Sequence, residues 1–343
     1  MRVRWTILSV SALIIAGVVT GCGGGIIESL VSLLRAGDVI SDVYHLLAGD
    51  PPDQFTVLLD GQPIPVTPAA DGSLQLNGVP AGEHLLQVVA PNKNRGGVTI
   101  IDVRADSRVD VGAPTEVVGG RILGKVRLGS AGVYAAARRV LVVAIPGGAT
   151  AVQKGKAAPI TIPPRTTYYA TYTDGNGDYE LNAVDVGDYL VTAAVPGYQS
   201  DVKAVNIPAQ GHAARGVNLD LERDTTMPSG VVTGRVRGAI IGGTQALAGA
   251  ALKLQPTVPF EPTIKQDAIN DIAAAAGFEL MDSPWFSWTW LGMLTDLAGS
   301  YEGRAPVGSA RLSCFAYGYQ PVYQDIEMVN NGSIHGEFDL NQR

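Results

Sequence analysis

The stretch TDGNGDYELNAVDVGDYLVTAAVPGYQ, residues 173–199, decides the fold. It begins with Asp174, Asn176 and Asp178 in a D-x-N-x-D pattern, which is how a calcium loop opens, and Asp185 falls at the last ligand position of such a loop. Tyr179, however, stands where that loop requires glycine. A second stretch, TDLAGSYEGRAPVGSARLSCFAYGYQ from Thr295, repeats the frame with Leu297, Ala298 and Ser300 replacing Gly175, Asn176 and Asp178. What the copies share is Asp174 and Asp296, Gly177 and Gly299, and Tyr179 and Tyr301. An aspartate that bonds back to the backbone, a glycine free to take positive φ and an aromatic opening a strand describe a tight turn. The reading is therefore a turn, and no metal is expected here.

A third stretch, ADGSLQLNGVPAGEHLLQVVAPN from Ala70, has the same order of turn, short strand, glycine and longer alternating strand. Gly82, Gly187 and Gly308 hold equivalent places, and the later two copies are preceded by VVGGRI from Val117 and VVTGRV from Val231. Repetition at this scale means that one supersecondary unit is reused. Short alternating runs between turn residues, with 42 glycines and 21 prolines in 343 residues, predict a mainly β protein.

The frame T-D-x-x-G-x-Y, then V-G, an alternating strand and G-Y, resembles the carboxypeptidase regulatory-like domain over about 117–221 and 231–341. The stretch 53–112 lacks the tyrosine and the closing Gly-Tyr; its LLDGQPIP and GVPAGEHLLQV also look like a PEGA-type surface module. The resemblance implies tandem transthyretin/Ig-like β-sandwiches over 52–112, 115–222 and 229–343. It also implies no peptidase activity.

The chain opens MRVRWTILSVSALIIAGVVTGCGGG. Arg2 and Arg4 precede an uncharged apolar run, Trp5 to Thr20, which is short for a membrane span and has the form of a signal peptide, residues 1–21. Val19-Thr20-Gly21-Cys22 resembles the lipobox of bacterial lipoproteins, which implies cleavage before Cys22 and lipidation of that cysteine. Gly23 follows it rather than aspartate, which favours the outer membrane or cell surface. Two or more acyl chains would make attachment stable. Residues 22–50 would then be a glycine tether and helical neck, with Ile27, Leu30, Val31 and Leu34 on one helix. Val39, Ile40, Val43 and Leu47 would lie on a second, capped by Asp38.

Removing residues 1–21 removes two of 25 basic residues and none of 32 acidic ones, so the mature balance is 23 − 32 = −9. Nucleic acid as a partner is excluded by that sign. His45, His84, His212 and His335 are scattered singly, and no nucleophile elbow or phosphate-binding loop is present. The chain is read as non-enzymatic, with no cofactor. Cys314 reads as a buried small hydrophobe.

The third copy carries an insertion, 257–292. A capping box from Thr263 to Gln266 starts a helix over IKQDAINDIAAAA, with Ile269, Ile272 and Ala276 on one face. Trp285, Phe286, Trp288 and Trp290 follow, either as the apolar body that seats the helix or as a ligand platform. The second copy has a long proline-rich loop, 146–165, then Tyr168, Tyr169 and Tyr172, which could extend a binding face. The sequence thus points to an exported lipoprotein that binds or scaffolds. Its alternatives are carbohydrate binding through the tryptophans, or an accessory role in a secretion or uptake complex through contacts with an envelope protein.

Overall fold

The computed structural model describes residues 36–47, 49–147, 160–162, 168–274 and 286–343. The signal peptide, Cys22 and the first predicted neck helix lie outside these residues. Within them the chain is mainly β, and no helix is long and apolar enough to cross a membrane.

Each sandwich is organised around its first strand. In the third, Ser229–Ile240 pairs antiparallel with Ser300–Pro306 on one side and parallel with Ser333–Leu340 on the other. In the second, Gly120–Ser130 pairs antiparallel with Asp178–Val184 and parallel with Leu219–Arg223. Facing these are four-stranded sheets. One has the order Tyr169–Tyr172, Leu141–Pro146, Gly187–Ala193, Val202–Ile207. The other has Leu291–Leu294, Ala251–Pro256, Gly308–Phe315, Val322–Met328. Alternating side chains of the two sheets interdigitate to form the cores.

The first sandwich obeys the same plan, and this corrects the predicted neck. Ala36–Asp42 is not the start of a second helix. It is a strand, antiparallel to Ser73–Pro80 and parallel to Arg108–Asp110. Gly37, Val39 and Ser41 face inward and their neighbours outward, a period of two. The apolar spacing of Val39, Ile40, Val43 and Leu47 also fits a helix, but a helix would leave Ser73–Pro80 without its central partner. Only Tyr44–Leu47 is helical, and it buries Leu46 and Leu47 in the sandwich. The other sheet has the order Gln62–Ile64, Thr56–Leu59, Gly82–Val89, Arg95–Val103, Thr115–Val118. Thr115–Val118 thus belongs to the first sandwich's sheet, and the second begins at Gly120.

The three sandwiches pack on one another. One hydrophobic core runs without interruption through the second and third and takes in Leu85 and Val98 of the first. Phe315 of the third is buried in the core of the first. Arg343 Nη1 reaches back to Asp38 Oδ1 at 2.7 Å, and Gln62 Nε2 donates to the Gly249 carbonyl. Arg304 Nε donates to Pro196 O at 2.8 Å, and Lys93 Nζ to Glu180 Oε2 at 2.6 Å. Each sandwich therefore touches the other two.

The two departures from the repeat also meet. Ile160–Ile162 of the second sandwich's loop pairs in parallel with Phe286–Trp288 of the insertion. The insertion's helix is Gln266–Ala274, shorter at its start than predicted. Ile264 bridges Ser200, and the Ser200 amide donates to Thr263 O at 2.8 Å, so tertiary pairing takes the residues of the expected capping box. Ala268 and Ile272 are buried under the helix.

The strand assignment makes a sharp prediction. Val39→Asp should unfold the first sandwich or cost more than about 4 kcal/mol, because it buries an unpaired charge. Ile40→Asp, on the outer side, should cost well under half of that. Equal losses, measured by thermal melting, would return the segment to a helix with both residues on one face.

Candidate functional site

The repeated turn is fully accounted for by backbone bonding. Asp174 Oδ1 accepts from the amides of Asn176 at 2.7 Å and Asp178 at 2.9 Å; Asp296 Oδ1 accepts from Ala298 at 2.9 Å and Ser300 at 2.8 Å. Gly177 and Gly299 have φ of +78° and +71°, and their carbonyls accept from Val126 and Val236, each at 2.8 Å. The Thr173 and Thr295 hydroxyls donate to Ala137 O and Leu247 O.

Tyr179 Oη donates to Val217 O at 2.6 Å, and Tyr301 Oη to Gly336 O at 3.0 Å. Both phenols cross over the first strand at a glycine. A Cβ on Gly124 would strike the Tyr179 ring, and one on Gly234 the Tyr301 hydroxyl. Burial, reinforced by nearby charge, pushes both phenols above the ordinary tyrosine value. Among the described residues no group of three side chains could hold a metal ion.

A prediction follows from this division of labour. Asp174→Ala or Asp296→Ala should lose roughly 1–2 kcal/mol of stability by orphaning two amides. Asp178→Ala, whose carboxylate is exposed and pairs with Lys125, should lose less than about 1 kcal/mol. Calcium should leave the melting temperature unchanged. A rise with calcium that Asp178→Ala abolishes would contradict the turn reading.

The tryptophan group divides. Trp285 lies outside the described residues, and Phe286 is placed only as part of the strand Phe286–Trp288. Trp288 and Trp290 are 1% and 4% exposed, so neither offers an open ring face. The Trp288 indole nitrogen is buried with no acceptor among the described residues. Tyr168 and Tyr169 are also buried, and the Tyr169 ring meets Tyr189 edge-on with centroids 5.8 Å apart. These tyrosines build core rather than a binding face. Cys314 is fully buried, which pushes its thiol up.

Trp290 instead borders a cavity of about 270 Å³ between the first and third sandwiches. The first sandwich supplies Asp60 and His84. Asp60-Gly61 is a two-residue hairpin turn between the paired Leu59 and Gln62, with φ of +51° and +80°. Asp60 Oδ1 accepts from the Leu85 amide at 2.9 Å, and Oδ2 lies 2.7 Å from His84 Nδ1. His84 Nε2 is 2.9 Å from Pro80 O, so both ring nitrogens face an acceptor oxygen.

The third sandwich supplies Lys253, whose Nζ is 3.9 Å from Asp60 Oδ2 and 4.7 Å from the Trp290 ring centre. Arg311 lies 4.7 Å over the Tyr323 ring and grips Asp325 through Nε at 2.8 Å and Nη2 at 3.2 Å. The Tyr168 and Tyr172 phenols are pushed up by burial and then by the Asp60 charge.

Burial alone would push the Asp60 carboxyl up. His84, Lys253 and the Leu85 amide together outweigh burial and hold it at about 2. Because its folded value lies below the unfolded one, Asp60 contributes stability above about pH 4 that is lost as pH falls toward 2. Asp60→Asn should cost roughly 2 kcal/mol at neutral pH and flatten the acid limb of the melting-temperature profile between those values. An unchanged acid limb would contradict this assignment.

Sequence reasoning reached neither Asp60, Lys253, Arg311 nor Tyr323 as site residues. The Asp-Gly turn was visible as a hairpin signal, but only the packing of the first sandwich on the third brings it to Lys253.

No family model matches the chain, and no curated protein matches it in sequence. Among solved structures it is similar to the TIE protein of Bacillus anthracis, at 13% identity and a TM-score of 0.21, covering 90% of this chain and 51% of that one. The chain thus spans about half the length of that protein. It is also similar to the minor pilin GBS52 of Streptococcus agalactiae, at 11% identity and a TM-score of 0.24, covering 65% and 96% of the two chains. A third likeness is to a provisionally named carbohydrate-binding protein of Pseudomonas aeruginosa, at 19% identity and a TM-score of 0.24, covering 31% and 90%. Likeness at this level adds nothing to the fold read directly from the strands.

Proposed function

We propose that the chain is an exported envelope lipoprotein, anchored through Cys22, whose folded part is a non-catalytic body for binding or scaffolding. The observation that carries the reading is the use made of the repeat's polar residues. Asp174, Asp296, Tyr179 and Tyr301 are spent on backbone amides and carbonyls, so what the two later copies share builds their sandwiches rather than a reaction centre. The anchor rests on Val19–Cys22 and the basic, apolar run before it.

Of the finer readings, an accessory role held by protein contacts is favoured over sugar stacking on the insertion. Trp288 and Trp290 are buried against the sandwiches, and an open platform needs exposed rings.

Expressed in a bacterium, the wild-type chain should be cut before Cys22 and partition into the detergent phase. Cys22→Ser should accumulate uncut and without lipid, as read by intact mass. Normal processing of that variant would overturn the anchor. Turnover of an ester or peptide substrate that is lost when a residue of this chain such as Lys253 is substituted would overturn the non-catalytic part.

A further inference from the structure

We infer that the cavity between the first and third sandwiches is a binding site for a small ring compound bearing one carboxylate. This goes beyond the scaffold reading and stands independently of the anchor. The strand pair Ala251–Pro256 and Gly308–Phe315 places Lys253 opposite Ser313 and Gln255 opposite Arg311. Directly opposed residues, and residues two apart on one strand, share a sheet face. All four border the cavity. An ammonium, a guanidinium, a hydroxyl and a side-chain amide thus form a square of hydrogen-bond donors.

Each cation already has one acid: Asp325 lies directly opposite Arg311 on the same face, and Asp60 borders the cavity from the first sandwich. Asp60 stays 3.9 Å from Lys253, beyond hydrogen-bond length, and is itself satisfied by His84 and Leu85. Arg311 uses Nε and Nη2 on Asp325, which leaves Nη1 for a ligand oxygen.

Leu59, Trp290, Phe315 and Val322 add apolar wall beside the polar Asp60, Glu83 and His84. That combination of a few convergent polar groups and an apolar wall at a domain junction is what small-molecule sites use. A volume of about 270 Å³ admits one six-membered ring and its substituent, not a chain of rings. Glu83 on the first sandwich's lip disfavours a second carboxylate.

Two sources share this chemistry, an acidic sugar and an aromatic acid. The test titrates the full chain in detergent with galacturonate and benzoate, and with their neutral counterparts galactose and benzyl alcohol, by calorimetry. At least one acid should bind about tenfold or more tightly than its neutral counterpart. Which acid binds names the source. Lys253→Gln and Arg311→Gln should each weaken that acid about tenfold while each variant keeps a cooperative melt. Binding of neither acid, or equal binding of acid and neutral forms, would overturn the inference. So would acid binding that both variants leave intact. The acid-against-neutral comparison uses the wild-type chain alone, so it decides even if a variant fails to fold.

Discussion

Everything in this molecule depends on how each sandwich closes. The first strand of each copy lies in the middle of its sheet, with an antiparallel neighbour on one side and a late strand running parallel on the other. A parallel partner cannot be reached by a hairpin, so strands of the facing sheet intervene before the chain returns. The aspartate turn holds the antiparallel side, and in the later two copies a tyrosine hydroxyl ties across to the late strand or the segment before it. Glycines at positions 124 and 234 exist because the phenol and a neighbouring carbonyl occupy the space a side chain would need. Turn, tyrosine and glycine form one device, and none of the three has a free group left for chemistry.

Closure of the individual sandwiches leaves their outer faces to be covered, and the copies cover one another. A core that passes unbroken from the second sandwich to the third makes those two a single body. The first is held by polar links, at Asp38–Arg343, Gln62–Gly249 and Asp60 with Lys253, and by Leu85, Val98 and Phe315 in the shared cores. The cavity lies along this polar seam. A buried carboxylate survives there because an imidazole, an ammonium and an amide converge on it, and removing any one would leave charge uncompensated.

Much of this was legible in the residues. The motif T-D-x-x-G-x-Y is legible as a turn, because local chemistry alone sets an aspartate turn. Ala36–Asp42 was misread because apolar spacing in seven residues satisfies a helix and a strand equally, and only the distant Ser73–Pro80 and Arg108–Asp110 choose between them. Two helical residues of the insertion were lost to Ser200 for the same reason, a tertiary partner overriding a local cap. The seam could not be read at all. Asp60 and Lys253 are far apart in sequence, and no spacing rule connects residues that meet through domain packing.

The central claim is that three copies make one closed body rather than a string. Small-angle X-ray scattering of residues 36–343 tests it most directly. A closed body of this length should have a radius of gyration of about 20 Å. A value of roughly 30 Å, with the scattering profile of separate modules in line, would contradict the shared core, the Asp38–Arg343 link and the cavity together.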